Sequence, residues 1–303
     1  MFSVDSCFCG KDAVIFLHYS KKHLCEKHFI EMFEKRFRKT VREFRMLKKG
    51  ERVAVGLSGG KDSCALLHSL HGLNLPLELV AVTINEGIEG YREKTLETAK
   101  RECRELGVEH VVFDFKKEAG MTLDEIMKKD LESIPCTNCG VLRRYLLNKG
   151  AREVGADKLA TGHNLDDVAQ TVLMNIMRNE PSRLARYNEP FVNSSSFVKR
   201  IRPFMRTPEK EIAVYCMVRG IELDNMDCPY ARFAFRGHVR HMLNETEERY
   251  PGTKFKILNS FLEMEDALHE KYSRNAELSE CKKCGEPCSD DSCMFCKRID
   301  MFK

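Results

Sequence analysis

Three things are scarce in this sequence of 303 residues, and each narrows what the chain can be. No run of about 18 apolar residues occurs, so no transmembrane helix is expected. No apolar leader stands near the start, so the expectation is a cytoplasmic protein without a membrane partner. Net charge is small: 50 basic against 46 acidic residues leaves +4, and overall charge alone does not imply nucleic acid. Hydrophobic residues supply 43%, enough for one large core with small modules beside it. Cysteine, in contrast, is abundant at 14. A cytosolic compartment keeps thiols reduced, so that number points to metal rather than disulfides.

A Walker A loop is missing too, because it needs four residues between Gly and Gly-Lys, then Ser or Thr. Residues 52–63 read instead Arg-Val-Ala-Val-Gly-Leu-Ser-Gly-Gly-Lys-Asp-Ser. The first six form a short apolar run expected to be a buried strand, and from Lys61 the apolar residues fall at helical spacing. A strand, a glycine turn and a helix start make an anion site, since the first helical N–H groups lack partners and the macrodipole favours negative charge. Ser58, Gly59, Gly60, Lys61, Asp62 and Ser63 are the candidate phosphate binders. This pattern resembles the PP-loop of the ATP pyrophosphatase superfamily, which implies ATP cleavage between the α and β phosphates and adenylation of a substrate oxygen.

Downstream, strand-like runs at 77–84, 109–115 and 156–160 alternate with helical patterns at 91–106, 121–131 and 165–177. The fold class expected is therefore α/β: a parallel, Rossmann-like sheet covered by helices on both faces. Ligands in such folds bind beyond the carboxyl ends of the strands. Gly162 permits a close approach at one strand end. Asp166 and Asp167 stand at a helix start, where a carboxylate would cap the helix or hold magnesium. Residues 187–199 read as a mobile loop, and helices are expected at 208–218 and 258–272.

Both ends of the chain are rich in metal-type ligands. Cys7, Cys9, Cys25 and His28 form a small zinc plan, with His23 an alternative to Cys7 because the first pair is Cys-x-Cys. Cys281, Cys284, Cys293 and Cys296 make two Cys-x-x-Cys knuckles eight residues apart, a zinc ribbon, with Cys288 outside the ligand set. The organisation expected is a zinc finger over 1–30, a catalytic domain over 31–275 and a zinc ribbon over 276–303. Cys136, Cys139 and Cys228 stand outside both modules. They fit an iron–sulfur cluster with one open iron, a catalytic persulfide-forming dithiol, or three buried thiols, and spacing leaves these open.

Two stretches suit RNA. Residues 29–47 carry apolar side chains on one helix face and Lys35, Arg36, Arg38, Lys39, Arg42, Arg45, Lys48 and Lys49 on the other. Residues 232–241 interleave aromatic and basic residues, which fits base stacking or, equally, a half-buried helix start.

Taken together, the PP-loop, Cys136-Thr-Asn-Cys139-Gly-Val-Leu-Arg-Arg144, Thr161-Gly-His-Asn-Leu-Asp-Asp167, Cys228-Pro-Tyr-Ala231 with Arg236-Gly-His238, and the cysteine-rich ends resemble the tRNA 2-thiolation enzymes of the TtcA/TtuA type. Within them the likeness is to the archaeal and eukaryotic cytoplasmic branch that modifies the wobble uridine. The resemblance implies a tRNA uridine 2-sulfurtransferase that uses ATP, Mg2+, Zn2+ and a [4Fe–4S] cluster on Cys136, Cys139 and Cys228. It implies catalytic roles for Cys139, Cys228, Asp167 and Arg143, the last standing where some members carry lysine. Gly56, Ile84, Gly162 and His163 complete the candidate nucleotide set. A homodimer, tRNA, and a sulfur donor (a ubiquitin-like thiocarboxylate carrier or sulfide) are the implied partners. The target implied is uridine 34, with uridine 54, a cluster-free persulfide transfer and a non-catalytic zinc scaffold for RNA as the alternatives.

Overall fold

Too short to bury a core, the N-terminal cysteine segment is instead built on a hairpin and one helix. In the computed structural model, which describes residues 5–130, 134–188, 197–222, 228–231, 235–273 and 279–302, β1 (Ile15–Leu17) pairs antiparallel with β2 (Lys22–Leu24). Helix α1 (Glu26–Glu43) follows, with Cys25 at its N-cap position. The boundary expected at residue 30 thus falls inside a helix. Phe29, Phe33 and Phe37 recur every fourth residue and are fully buried. Phe33 stacks on Tyr215 at 4.1 Å, and Phe204 meets Phe33 and Phe37 at 5.7 and 5.4 Å. Burial of each ring contributes about 1.5–3 kcal/mol, so α1 ties the hairpin firmly to the body. The helix stops at Glu43, short of residue 47, because Phe44 caps it and Arg45 takes a φ of +47°. Lys35, Arg38, Lys39 and Arg42 face solvent, whereas Arg36 turns inward to Glu211 at 2.5 Å.

The body then runs β3 (Arg52–Gly56), α2 (Lys61–His71), β4 (Glu78–Asn85), α3 (Arg92–Leu106), β5 (Glu109–Asp114), α4 (Phe115–Ala119), α5 (Leu123–Lys129), α6 (Pro135–Glu153), β6 (Lys158–Thr161), α7 (Leu165–Met177), α8 (Pro181–Leu184), β7 (Lys199–Ile201) and α9 (Glu209–Val218). Its five strands are all parallel, in the order β5-β4-β3-β6-β7. Alternation along β3 sends Val53 and Val55 into one core, shared with α1, α2 and α9, and Ala54 into a second, shared with α5 and α6. Leu159 and Ala160 on β6 divide in the same way. The strand β7 escaped the sequence reading: it has three residues, two of them basic, and only Ile201 is buried. Residues 189–196 of the expected loop lie outside the described residues.

Strand order reverses about β3, since β4 and β5 extend one way and β6 and β7 the other. The crevice beyond the carboxyl ends of β3 and β6 is the ligand position such sheets provide. Helices α10 (Phe235–Arg249) and α11 (Thr253–Ser273) pack on α7. The stretch that fits either an RNA surface or a half-buried helix start is in its described part the half-buried start of α10: Phe235 lies under Arg178 at 4.8 Å, and Arg236 bonds Gln170 and Thr171. Only His238, Arg240 and His241 stay exposed there; residues 232–234 are outside the described set.

The C-terminal module holds β8 (Ser279–Glu280), paired antiparallel with β9 (Pro287–Cys288), and α12 (Met294–Phe302). It docks on α6. Phe295 stacks on Tyr145 at 3.8 Å, and Glu286 accepts from Asn148 at 2.7 Å and Arg152 at 2.8 Å. Among the described residues no helix is long and apolar enough to cross a membrane.

Candidate functional site

Between β3 and α2 the chain turns on Gly59, whose φ is +83°. A Cβ there would stand 2.0 Å from the Thr95 carbonyl oxygen, so only glycine fits. Ser58 N–H donates to Ser63 Oγ at 3.1 Å, and Ser63 Oγ donates to the Gly60 carbonyl at 2.9 Å. Gly60 occupies the N-cap position of α2 and no side chain caps that helix. The N–H groups of Lys61 and Asp62 therefore remain available to an anion, while that of Ser63 donates to the Gly60 carbonyl at 3.1 Å. Gly162 brings the loop after β6 against this turn: a Cβ would meet the Asp62 carbonyl at 2.9 Å. Gly56 has no such constraint, its nearest neighbour being an ordinary 3.5 Å away. Overpacking of this kind costs about 1–3 kcal/mol. Gly162→Ala is accordingly expected to lower ATP affinity roughly tenfold in an equilibrium titration, and unchanged affinity would place the nucleotide elsewhere.

Lys61 does not extend toward the turn as its place in the motif suggests. Its Nζ lies 2.6 Å from Glu209 and 3.1 Å from Asp62, while Asp62 also accepts from Asn164 at 3.0 Å. Of the two aspartates, Asp166 is structural: it pairs with buried Lys254 and accepts from Glu209 N–H at 2.8 Å. Asp167 completes a capping box with Asn164 through one oxygen, and its other oxygen lies 3.7 Å from Arg236. Burial raises Asp167 to about 6 despite Arg236.

Two residues that sequence reasoning passed over join this turn to the thiols. Arg92 Nη1 donates to the Ser58 carbonyl at 2.7 Å and to Thr95 Oγ1 at 2.8 Å, and Nη2 donates to the Ile84 carbonyl at 2.5 Å. Its Nε lies 2.9 Å from Glu86 Oε2, an ion pair without hydrogen-bond alignment, with the two side chains 4% and 8% exposed. Arg143 Nη1 approaches the other Glu86 oxygen at 3.9 Å. Cys139 lies one turn before Arg143 on α6, and Cys136 one turn earlier still. The only sequence signal for Glu86 was its place just past the end of β4.

Cys139 and Cys228 both pack against the second core, and Cys136 lies one turn from Cys139 on α6, so the three thiols share one locality. Burial pushes Cys139 up to about 12 against the pull of Arg143, and it also raises Cys228. Cys136 Sγ points to the Tyr230 carbonyl at 3.7 Å. Unlike the two terminal groups, these sulfurs are not drawn together into one tight ligand set. Cys64, Cys103 and Cys216 are buried in the first core.

His163 follows Gly162 and accepts from or donates to Thr161 Oγ1 at 2.9 Å. The surrounding protein and the positive charges of Arg202, Arg200, Arg143 and Arg236 lower its pKa, which favours the neutral ring.

At the N-terminus, Cys7 and Cys25 Sγ lie 3.3 and 3.4 Å from His28 Nδ1, and Cys9 lies 3.7 Å from Cys25. His23 stacks on Phe16 and faces Asp5 at 3.7 Å, so Cys7 and not His23 completes the group. At the other end Cys281, Cys284, Cys293 and Cys296 converge, while Cys288 turns to Asp290. Both donor sets suit tetrahedral zinc.

The family described as the PP-loop domain matches residues 29–247, and the N-terminal LIM domain of 2-thiouridine synthetase TtuA matches residues 7–30. The chain is similar to the tRNA 2-thiolation protein NcsA of Haloferax volcanii, at 37% identity over 97% of this chain and 98% of that one. It is also similar to the tRNA-5-methyluridine(54) 2-sulfurtransferase of Pyrococcus horikoshii, at 38% over 96% and 92%. Among solved structures it resembles the U34-tRNA thiolase NcsA from Methanococcus maripaludis with its [4Fe–4S] cluster. That likeness has a TM-score of 0.83 and 33% identity, covering 99% of this chain and 97% of the other.

Proposed function

The chain belongs to the PP-loop family of tRNA 2-thiolation proteins, and from that premise we propose that it is an ATP-dependent tRNA uridine 2-sulfurtransferase acting at uridine 34. The observation that supports this reading is the run of contacts Ser58–Arg92–Glu86–Arg143, which leads from the phosphate turn to α6 one helical turn from Cys139. The C2 carbonyl oxygen of uridine is a poor leaving group. ATP converts it to an adenylate, releasing pyrophosphate, and AMP then departs in its place. The first-turn N–H groups of α2, with Ser58 and Ser63, hold the phosphates, and Arg143 offsets charge at the α-phosphate. Asp167 keeps one oxygen outside its cap for magnesium or a proton.

Three thiols too spread for one tetrahedral ion, and one short of a full cubane set, fit a cluster with an iron left open. Cys136, Cys139 and Cys228 would hold it, and when bound it supplies a Lewis-acidic site for sulfide. Zinc in the two terminal groups would fix the hairpin beside α1 and the ribbon on α6. The exposed lysines and arginines of α1 offer the tRNA backbone a positive face. Sulfide or a thiocarboxylate carrier as donor, a homodimer and a cytoplasmic location complete the proposal. Uridine 54 is the second reading, favoured by the Pyrococcus relative.

Anaerobic incubation with unmodified tRNA, ATP and sulfide, followed by nucleoside mass spectrometry with position mapping, tests this. The expected product is 2-thiouridine at position 34 with pyrophosphate released in step. Product at position 54 would move the target, and thiolation without ATP would remove the adenylation step.

A further inference from the structure

We infer that Arg144, Arg200 and Arg202 form a seat for one backbone phosphate of the tRNA, next to the nucleotide being modified. The inference rests on the proposed function and adds where that substrate is gripped. Arg200 and Arg202 flank Ile201, which is buried in the first core. Alternation therefore sends both toward the opposite face, the one covered by α6, where the register partner of Arg200, Leu159, is also buried. Arg144 curls back along α6: its Nη1 stands 3.1 Å from where a Cβ on Gly140 would be, one residue from Cys139. Tyr187 fixes the third guanidinium, with Arg202 over its ring at 4.1 Å and Asn188 Oδ1 at 3.5 Å.

Among the described residues no carboxylate pairs with any of the three. Arg200 Nε is buried without a hydrogen-bond partner. Burial and the charges of Arg202, Arg144 and Arg143 push Arg200 down to about 10, while Arg144 is exposed to solvent. Like charges gathered on one face, with no carboxylate between them among the described residues, favour the arrival of an anion. The phosphates of ATP already have the turn before α2. A base presented to Cys139, by contrast, brings its own backbone phosphate within one nucleotide of Arg144. A forked guanidinium set matches a phosphodiester in charge and in geometry.

The test measures binding of an unmodified full-length tRNA transcript to the protein as isolated, across a series of salt concentrations. Wild type is compared with Arg200→Gln, Arg202→Gln and Arg200→Lys. Each glutamine variant is expected to weaken binding about tenfold and to make the plot of log Kd against log salt shallower by about 0.7–1. The lysine variant should restore the slope but only part of the affinity. In steady state the KM for tRNA should rise while that for ATP holds. An unaltered slope in folded variants, or a shift confined to the KM for ATP, overturns the seat. A wild type that forms no 2-thiouridine overturns the proposed function instead.

Discussion

Cys139→Ser is expected to cut 2-thiouridine formation by roughly a thousandfold or more, with ATP affinity within about twofold of wild type. The separation follows from the geometry. Cys139 lies on α6, while the phosphate turn hangs from β3 and α2 and is linked to α6 through Arg92, Glu86 and Arg143. Serine keeps the shape of the half-buried side chain and removes only the sulfur. Three measurements read the outcome: iron and acid-labile sulfide per chain, thiolated nucleoside per tRNA, and an ATP titration. Iron and thiolation should vanish together. A variant that keeps its iron yet makes no product would favour persulfide transfer through Cys139, and one that retains both would remove Cys139 from the site.

What could be read directly from residue order was local. A glycine turn between a strand and a helix needs only neighbours in sequence, and so does a Cys-x-x-Cys knuckle. The phosphate loop and both terminal ligand groups were therefore visible, and the structure had only to choose Cys7 over His23. Side-chain direction was not visible. Lys61 sits in the motif, but Glu209, 148 residues away, draws its ammonium aside. Asp166 and Asp167 looked alike at a helix start; only the fold shows that Lys254 claims the first. Phe235 and Arg236 matched an RNA-stacking pattern, yet they pack on α7 because α10 begins there. Strand β7 lacks an apolar run because Lys199 is exposed and Arg200 half-buried, which leaves Ile201 alone to enter the core. Glu86 and Arg92 carried no motif at all, since their meaning comes from meeting across the end of β4.

That meeting defines the other large effect. Arg92→Met is expected to lower stability by about 3–5 kcal/mol, the usual cost of stripping one partner from a buried pair. The substituted chain would leave Glu86 almost fully enclosed with its nearest cation gone, and the carbonyls of Ser58 and Ile84 without their donor. For a body of this size each kcal/mol lowers Tm by about 2–4 °C, so thermal unfolding should begin roughly ten degrees early. Function should suffer separately. Glu86, losing Arg92, would hold Arg143 more strongly and draw its charge away from the crevice, so kcat is expected to fall more than the KM for ATP rises. Adding Glu86→Gln to Arg92→Met discriminates the two parts. Removing the stranded carboxylate should recover much of the lost Tm, because the pair couples, while the missing support under Ser58 keeps kcat low. A double variant no more stable than Arg92→Met would mean that the ion pair contributes little and that the hydrogen bonds to Ser58 and Ile84 carry the effect.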